Sequence, residues 1–227
     1  MNLPAIDQRK KWPVFAFGYI CFCILYTFTG NVHFRPPALL PVSPIDEAVP
    51  FIAWTVWIYI SQFVFLFYCL WLLKYSMSIS RAFYSMGLAS LLSFIVFILY
   101  PTLMPRVRME ASGLTAGAFE LLYWMDSPSN CFPSLHVALG FLVVSDVISE
   151  KRRMRWLTSV WAVLIWFSTM TTGQHYFVDV VAGLGMGLLC RAMVKRVNFK
   201  PAAPSPSGAR RTDRTAASNN SQDLFEG

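Results

Sequence analysis

A histidine and an aspartate four residues apart, His175 and Asp179, lie in the segment 168–183, STMTTGQHYFVDVVAG. The apolar residues that follow predict a helix, and side chains four residues apart on a helix lie on the same face. Asp179 would therefore accept the Nδ1 hydrogen of His175, fix its tautomer and leave the other ring nitrogen free to attack an electrophile. This spacing predicts a nucleophilic histidine held by a carboxylate.

A second histidine, His136, ends the segment 130–136, NCFPSLH, which leads from a polar loop into another apolar stretch. Pro133 suits the first position of a helix there, since its fixed φ is already helical. The unpaired N–H groups at the start of a helix bind anions, and Ser134 adds a hydroxyl beside them. This segment predicts a phosphate site next to a second proton carrier.

These groups together are what covalent phosphoryl transfer requires. One histidine takes the phosphoryl group, while the other protonates the leaving oxygen and then draws a proton from water or an alcohol. A simpler interpretation is that His175 and Asp179 form a structural pair that joins two helices. The second histidine and its helix start favour the chemical interpretation.

The composition is that of a membrane protein. Of the 227 residues, 56% are hydrophobic, 16% are aromatic and only 14% are charged, which is too apolar for an ordinary soluble domain of this size. The net charge of +7 does not indicate nucleic-acid binding, because the basic residues lie at the ends of apolar segments and not along one polar face. We expect contacts with membrane lipids and none with nucleic acid.

Six apolar segments have about the length needed to cross a bilayer. They are residues 12–29, 51–73, 82–104, 136–149, 156–172 and 176–194. We predict an all-α polytopic membrane protein, a six-transmembrane-helix bundle over residues 12–195. A polar N-terminus, 1–11, precedes it, and a basic tail, 196–227, follows whose Pro, Ala, Ser and Arg composition predicts disorder.

The segments between and within these helices carry weaker signals. Residues 30–50 contain five prolines and predict an extended surface loop. Residues 114–125 predict a short helix on the membrane surface. In the last apolar segment, Gly183, Gly185 and Gly187 form a small-residue face that predicts close packing against a neighbouring helix.

The distribution of lysine and arginine predicts the orientation. Of the 19 such residues, 16 fall on one side of the six-helix arrangement, and three fall on the other: Arg35, Arg106 and Arg108. The positive-inside rule places the richer side, with both termini, in the cytoplasm. His136 and His175 then open to the non-cytoplasmic side of a bacterial inner membrane or, alternatively, a eukaryotic internal membrane. There the three arginines are the only cations to bind phosphoryl oxygens.

The motif FPSLH at 132–136, followed in order by Ser168, His175 and Asp179, resembles the second and third signatures of the type 2 phosphatidic acid phosphatase superfamily. The resemblance covers about residues 12–195, and HYFVDVVAG is similar to the branch containing inositol phosphorylceramide synthases. It implies no metal and no cofactor. The roles it implies are nucleophile for His175, orienting partner for Asp179, acid and base for His136, and phosphate ligands for Ser134 and Ser168.

The sequence departs from the family pattern where cations are expected. Thr169 follows Ser168, where the family usually has arginine. The first family motif is Lys, six residues, then Arg-Pro; Arg106 lies in the right order, but Leu99 and Val107 replace the lysine and the proline. We predict Arg106 as the phosphate clamp.

Two other arginines are runners-up for this role. Arg108 lies two residues further along, and Arg35 keeps the Arg-Pro dipeptide but lies earlier in the chain, with Phe28 at the lysine position. The loss of two cations bears on the choice of substrate more than on the reaction.

The resemblance and the site predict an integral membrane lipid-phosphate phosphatase or phosphotransferase that forms a phosphohistidine at the outer membrane face. The expected partners are a lipid phosphate or phosphodiester substrate, with water or a small alcohol as acceptor. A phospholipid headgroup transferase of the inositol phosphorylceramide synthase type is the nearest alternative. The sequence leaves open the lipid, the acceptor and the oligomeric state.

Two further alternatives use the same polar residues differently. His136, His175 and Asp179, with His33 or Cys131, have ordinary zinc-ligand side chains, although zinc requires no anion site at a helix start. A non-enzymatic lipid or solute transporter would also keep an acid and histidine pair within the membrane. The chain, however, shows no internal repeat of the kind such carriers have.

Overall fold

Eight α-helices make up most of residues 2–106 and 112–200, which the computed structural model describes. They are α1 (Lys11–Asn31), α2 (Pro44–Ala48), α3 (Val56–Leu72), α4 (Ser76–Leu99), α5 (Gly113–Met125), α6 (Leu135–Glu150), α7 (Arg155–Thr171) and α8 (Phe177–Lys195). Six of them are long and coincide with the six predicted apolar segments, and α5 coincides with the predicted short helix. The predicted helical architecture is confirmed.

The largest boundary error concerns α4, which begins six residues before the predicted start and ends five before the predicted end. It ends at Leu99 because Tyr100 precedes Pro101, and the residue before a proline disfavours helical backbone. It begins early because the serines in its first turns remain compatible with a helix. The Ser80 hydroxyl donates to the carbonyl of Ser76 over 2.6 Å.

Helix α6 lies at the centre of the bundle, where it contacts α3, α4, α7 and α8. More than half of its residues are buried, among them Val137, Leu142, Val143 and Val147. By contrast, α1 lies at the periphery against α4 and exposes most of its apolar side chains. The two histidine segments therefore meet where the central helix α6 packs against α8.

Two of the three predicted packing glycines are at this contact. A Cβ at Gly183 would overlap the backbone carbonyl oxygen of Ser134, and one at Gly187 would lie 2.9 Å from the ring of Phe141. Among the described residues, no neighbouring atom lies within 4 Å of a Cβ at Gly185. The predicted close approach is thus confirmed for Gly183 and Gly187 and is wrong for Gly185.

Two short parallel strand pairs, which the sequence does not predict, join distant parts of the chain. Strand β1 (Asn2–Pro4) pairs with β4 (Asn198–Lys200), and β2 (Ala38–Leu39) pairs with β3 (Thr102–Leu103). The predicted disorder of the tail 196–227 does not hold for β4. The remainder of that tail, from residue 201, lies outside the described residues.

The proline-rich loop after α1 is fastened to the end of the bundle that carries the histidines. Helix α2 has a capping box in which Ser43 and Asp46 satisfy each other's backbone N–H groups. Further along, Ile52 N donates to the carbonyl of Thr171 over 2.8 Å, and the hydroxyls of Thr55 and Thr171 are 2.8 Å apart. The loop therefore rests on the C-terminal end of α7.

Four helices in the described residues are long and apolar enough to cross a membrane. They are Gln8–Asn31, Ala53–Leu72, Ser76–Leu99 and Phe177–Lys195. Helices α6 and α7 have 16 and 17 residues, fewer than the roughly 20 that a bilayer requires. The four helices support a membrane protein, while six spans and cytoplasmic termini stay predictions.

Candidate active site

The backbone of His175 is fixed by the tight turn between α7 and α8. Gly173 has φ +65°, a left-handed conformation that favours glycine. The N–H groups of Gln174 and His175 both donate to the carbonyl of Thr169 over 3.0 Å. The chain thus reverses within a few residues and presents a buried His175 side chain just before α8 begins.

The predicted pairing of His175 with Asp179 is close but is not a hydrogen bond. Nδ1 of His175 lies 3.5 Å from Oδ2 of Asp179, and no hydrogen-bond partner of Nδ1 is found in the described residues. Oδ2 also accepts the N–H of Tyr176 over 2.8 Å, since Asp179 caps the start of α8. The carboxylate faces Nδ1, so a small movement completes the bond, as often happens when a substrate arrives.

His136 and His175 lie side by side although 39 positions separate them in the chain. Their ring centroids are 5.6 Å apart with an interplanar angle of 63°. The other side of the His136 ring contacts Tyr59 of α3, at a centroid distance of 4.6 Å. The structure brings the two imidazoles together at the start of α6 and α8.

Backbone contacts fix the relative position of the two histidine segments. The N–H of Ser134 donates to the carbonyl of Asp179 over 3.1 Å. Helix α6 begins at Leu135 with Ser134 as its N-cap, so Pro133 lies before the helix and not at its first position as predicted. The close approach at Gly183 lies on the same contact.

The hydroxyl of Ser134 is buried and has no hydrogen-bond partner within the described residues. A buried donor without a partner costs about 1–3 kcal/mol, and native structures rarely leave one unpaired. Its place at the N-cap of the helix that carries His136 suits this hydroxyl to donate to a ligand oxygen. Ser134 is not among the residues that line the cleft beside His175, however, so its role as a phosphate ligand stays a prediction.

The hydroxyl of Ser168 is used by its own helix. It donates to the carbonyl of Ile165 over 2.7 Å, and Ser168 is not among the residues that line the cleft beside His175. The structure therefore buries Ser168 near the end of α7 without directing its hydroxyl to the site. A phosphate contact requires a different side-chain rotamer.

Arg106 lies at the rim of the same cleft as His175. Its Nη2 donates to the carbonyls of Tyr123 and Asp126 over 2.8 and 2.7 Å, and its guanidinium stacks on the Tyr123 ring at 4.4 Å. Of the two runners-up, Arg35 is exposed on the loop after α1, and Arg108 lies outside the described residues. Arg106 is thus the predicted clamp that the structure brings into the cleft.

This cleft lies beside His175, at the end of the bundle that carries the histidines. Its lining combines the α7–α8 turn with the segment before α6. The lining residues are Met104, Arg106, Asp126, Ser127, Pro128, Asn130, Cys131, Gly173, Gln174 and His175. In the described residues it therefore brings one guanidinium and one carboxylate next to the nucleophile candidate.

The sequence gives no indication of the role of Asp126. One of its carboxylate oxygens accepts the hydroxyl of Tyr26, and the other accepts that of Tyr59 over 2.9 Å. Tyr59 in turn contacts the ring of His136. Asp126 therefore binds Tyr26 of α1 and Tyr59 of α3, which lie 100 and 67 positions from it in the chain. Through Tyr59 it is connected to His136, the candidate acid and base.

Asp46 is a second site neighbour that the sequence does not reveal. Its Oδ1 accepts the N–H of Phe177, the first residue of α8, over 2.6 Å. Burial acts to raise the pKa of this carboxyl, but hydrogen bonds from Ser43 and Phe177 outweigh it and hold the pKa below its ordinary value. The proline-rich loop after α1 thereby anchors the helix that follows His175.

Cys131 has the character of a packed thiol. It is buried, its Sγ donates to the carbonyl of Pro128 over 3.2 Å, and burial raises the pKa of the thiol, as do the nearby charges of Asp126 and Asp179. Across residues 2–106 and 112–200, no three His, Cys, Asp or Glu side chains form a group that could hold a metal ion.

Comparison with known proteins identifies the family. A family model described as the PAP2 superfamily matches residues 24–193, which include both histidine segments. An uncharacterized protein of Methanocaldococcus jannaschii is 32% identical over 79 residues, 34% of this chain. The match spans about a third of that protein's length. Since the family match covers most of the chain, we conclude that this protein belongs to the PAP2 superfamily.

Proposed function

We propose that this protein is an integral membrane enzyme that cleaves a lipid phosphate ester through a phosphohistidine intermediate. Members of the PAP2 superfamily are generally phosphoesterases, which supports the reaction class. The observation that carries the proposal is the contact between His136 and His175, whose ring centroids lie 5.6 Å apart, with Asp179 behind His175. Two imidazoles and a carboxylate in this order are suited to covalent phosphoryl transfer.

In the first step His175 attacks phosphorus through Nε2, because Nδ1 faces the carboxylate of Asp179. A nitrogen–phosphorus bond forms while the bond between phosphorus and the oxygen of the leaving group breaks. His136 gives its proton to that oxygen, so the leaving group departs as a neutral alcohol. Asp179 stabilises the positive charge that develops on the His175 ring.

In the second step His136, now neutral, takes a proton from water or from an acceptor alcohol. The oxygen of that molecule attacks phosphorus, the nitrogen–phosphorus bond breaks, and His175 is restored. Water yields hydrolysis and an alcohol yields transfer. The same residues serve both outcomes, so the choice depends on which acceptor enters the cleft.

Three side chains hold the phosphoryl oxygens in this proposal. Ser134 supplies the buried hydroxyl that lacks a partner in the described residues. Arg106 supplies a positive charge at the cleft, where its remaining N–H groups reach a ligand. Ser168 joins them only after its hydroxyl turns away from the carbonyl of Ile165.

The charge of the cleft favours a phosphodiester, the kind of substrate that headgroup transfer of the inositol phosphorylceramide synthase type requires, over a phosphate monoester. In the described residues Arg106 is the one cation that lines the cleft, and Asp126 adds a negative charge. A phosphodiester carries one negative charge, whereas a monoester carries close to two at neutral pH. We therefore infer a lipid phosphodiester as the better substrate.

The location follows from the distribution of charge. With six helices in the membrane, the 16 basic residues of the richer side face the cytoplasm. The cleft with His175 then opens on the opposite, non-cytoplasmic side. The expected substrate is a lipid of the outer leaflet.

Product analysis with purified protein tests the proposal. A lipid panel labelled in the phosphate is incubated with and without inositol or another small alcohol. We expect a labelled phosphodiester when the alcohol is present, and no product from His175→Ala. His33→Ala is the matched control, since His33 is exposed and lies on the outer loop.

Three results would count against the proposal. Turnover by His175→Ala at the wild-type rate contradicts the nucleophile. Loss of turnover on adding a chelator favours zinc chemistry. An inert wild type that moves a solute across vesicles favours a carrier.

A further inference from the structure

A second charged cleft lies at the end of the bundle away from the histidines. The residues that line it come from α4, α6 and α8: Arg81, Ser85, Asp146, Arg191, Val194 and Lys195. Asp146 lies ten residues after His136 and Arg191 lies 16 after His175, which at 1.5 Å per helical residue is roughly 15–24 Å along the axes.

Part of the charge in this cleft is neutralised within the protein. Arg191 Nη1 lies 3.2 Å from Oδ1 of Asp146, while Nη2 donates to the carbonyl of Ser145 and to the hydroxyl of Ser149. The guanidinium of Arg191 thus makes three contacts within the protein, one of them to the carboxylate of Asp146. The negative charge of Asp146 and the positive charge of Arg191 neutralise each other.

Two other cations line the cleft, Arg81 and Lys195. Neither Arg81 nor Lys195 makes a salt bridge or a side-chain hydrogen bond in the part of the chain that the structure describes, and the Nε of Arg81 is a buried donor without a partner. An unpartnered buried donor is costly, more so on a charged group. Its three cations and one carboxylate leave the cleft with two surplus positive charges, and both the buried Nε of Arg81 and the buried Oδ2 of Asp146 lack a hydrogen-bond partner in the described residues.

The surroundings of the cleft suit a lipid better than a free ion. Large apolar side chains on the same helix ends are exposed: Met77 on α4, Ile148 on α6 and Met193 on α8. These surfaces would contact acyl chains while the cations contact a headgroup. Basic clefts between membrane helices bind phosphate-bearing headgroups in this manner.

We propose that Arg81 and Lys195 bind the phosphate of an anionic phospholipid at the membrane face opposite the catalytic cleft. This inference depends on the membrane placement given under the proposed function, but not on the chemistry of the histidines. Arg81 donates from its planar guanidinium and Lys195 from its ammonium group. The bound lipid links α4 to α8, which also contact each other.

Thermal unfolding in detergent tests this site, with phosphatidylglycerol, phosphatidylcholine or inorganic phosphate added. We expect phosphatidylglycerol to raise the unfolding midpoint more than the other two probes do. The double variant R81Q/K195Q is expected to weaken the apparent affinity at least roughly ten-fold, the worth of one hydrogen bond to a charged group. R152Q/R153Q is the matched control, because both residues are exposed at the same end and do not line the cleft.

Each other outcome contradicts the proposal. An equal loss of lipid affinity in R81Q/K195Q and in R152Q/R153Q means that the general surface charge attracts the lipid. An equal shift with inorganic phosphate means a free-anion site. If R81Q/K195Q does not fold, K195Q alone is compared with R153Q in the same titration. His175→Ala should retain the full lipid response, so failure of the catalytic proposal is distinguishable from failure of this one.

Discussion

Ser134 donates its backbone N–H to the carbonyl oxygen of Asp179 over 3.1 Å. This bond fastens the N-cap of α6 to the first turn of α8. His136 lies two residues after the first partner, and His175 lies four before the second. The distance between the two imidazoles is therefore set by a backbone contact and does not depend on side-chain packing alone.

Gly183→Ala should disturb this contact. The new Cβ would overlap the carbonyl oxygen of Ser134, and backbone cannot move aside as a flexible side chain can. We expect a loss of stability of about 1–3 kcal/mol and reduced turnover, measured by thermal unfolding and product formation. Gly185→Ala is the control on the same helix, since no neighbouring atom of the described residues lies within 4 Å of its Cβ. Equal stability and turnover of the two variants would show that the α6–α8 contact accommodates a methyl group at position 183.

Tyr59→Phe should separate ring packing from hydrogen bonding beside His136. The variant keeps the ring that contacts His136 and removes the hydroxyl that donates to Asp126 over 2.9 Å. We expect kcat to fall roughly ten-fold, since a hydrogen bond to a charged group contributes about 1.5–3 kcal/mol. Tyr75→Phe, at an exposed position, should leave kcat unchanged. Wild-type kcat in Tyr59→Phe would limit the role of Tyr59 to packing.

Asp46 should make the anchoring of α8 dependent on pH. Its pKa in the folded protein is below the ordinary value of 3.8, so its stabilisation is present above that value and is lost as the pH falls through the lowered pKa. We expect Asp46→Asn to unfold at a lower temperature than wild type at neutral pH, and the difference to shrink on strong acidification. Glu47→Gln removes the same charge from an exposed neighbour and should not reproduce this. A difference that is constant with pH would contradict the carboxylate's role.

Arg106→Gln should weaken transition-state binding. The variant removes the cation that lines the cleft with His175, and we expect kcat/KM to fall about 10- to 100-fold, as for a charge-assisted hydrogen bond. Arg106→Lys keeps the charge and should recover part of the loss. Arg35→Gln is the matched control, because Arg35 is exposed on the proline-rich loop after α1. A larger loss in Arg35→Gln than in Arg106→Gln would make Arg35 the clamp.

The helices and the two histidine segments can be predicted from the sequence because each depends on residues that are close together in the chain. Apolar stretches of helical length place the six long helices within a few residues. The four-residue spacing of His175 and Asp179 places both near the start of α8. The error at the end of α4 comes from Pro101, which acts on the residue before it.

The residues around the histidines cannot be predicted from the sequence in this way. In the sequence, Tyr26 and Tyr59 are indistinguishable from other aromatic residues of membrane helices. Both donate a hydrogen bond to Asp126 because of the way α1 and α3 pack. Asp46 lies 131 positions from its partner Phe177. Strands of two or three residues, such as β2 and β4, are too short to show an alternating pattern.

The most direct test of the central claim is to trap the covalent intermediate. Wild-type protein is mixed with a lipid substrate labelled with phosphorus-32 in the phosphate, quenched in alkali within the first turnover, and digested. We predict alkali-stable, acid-labile label on the peptide that contains His175, and none in His175→Ala. Label on another residue, or turnover without any covalent label, would contradict the account.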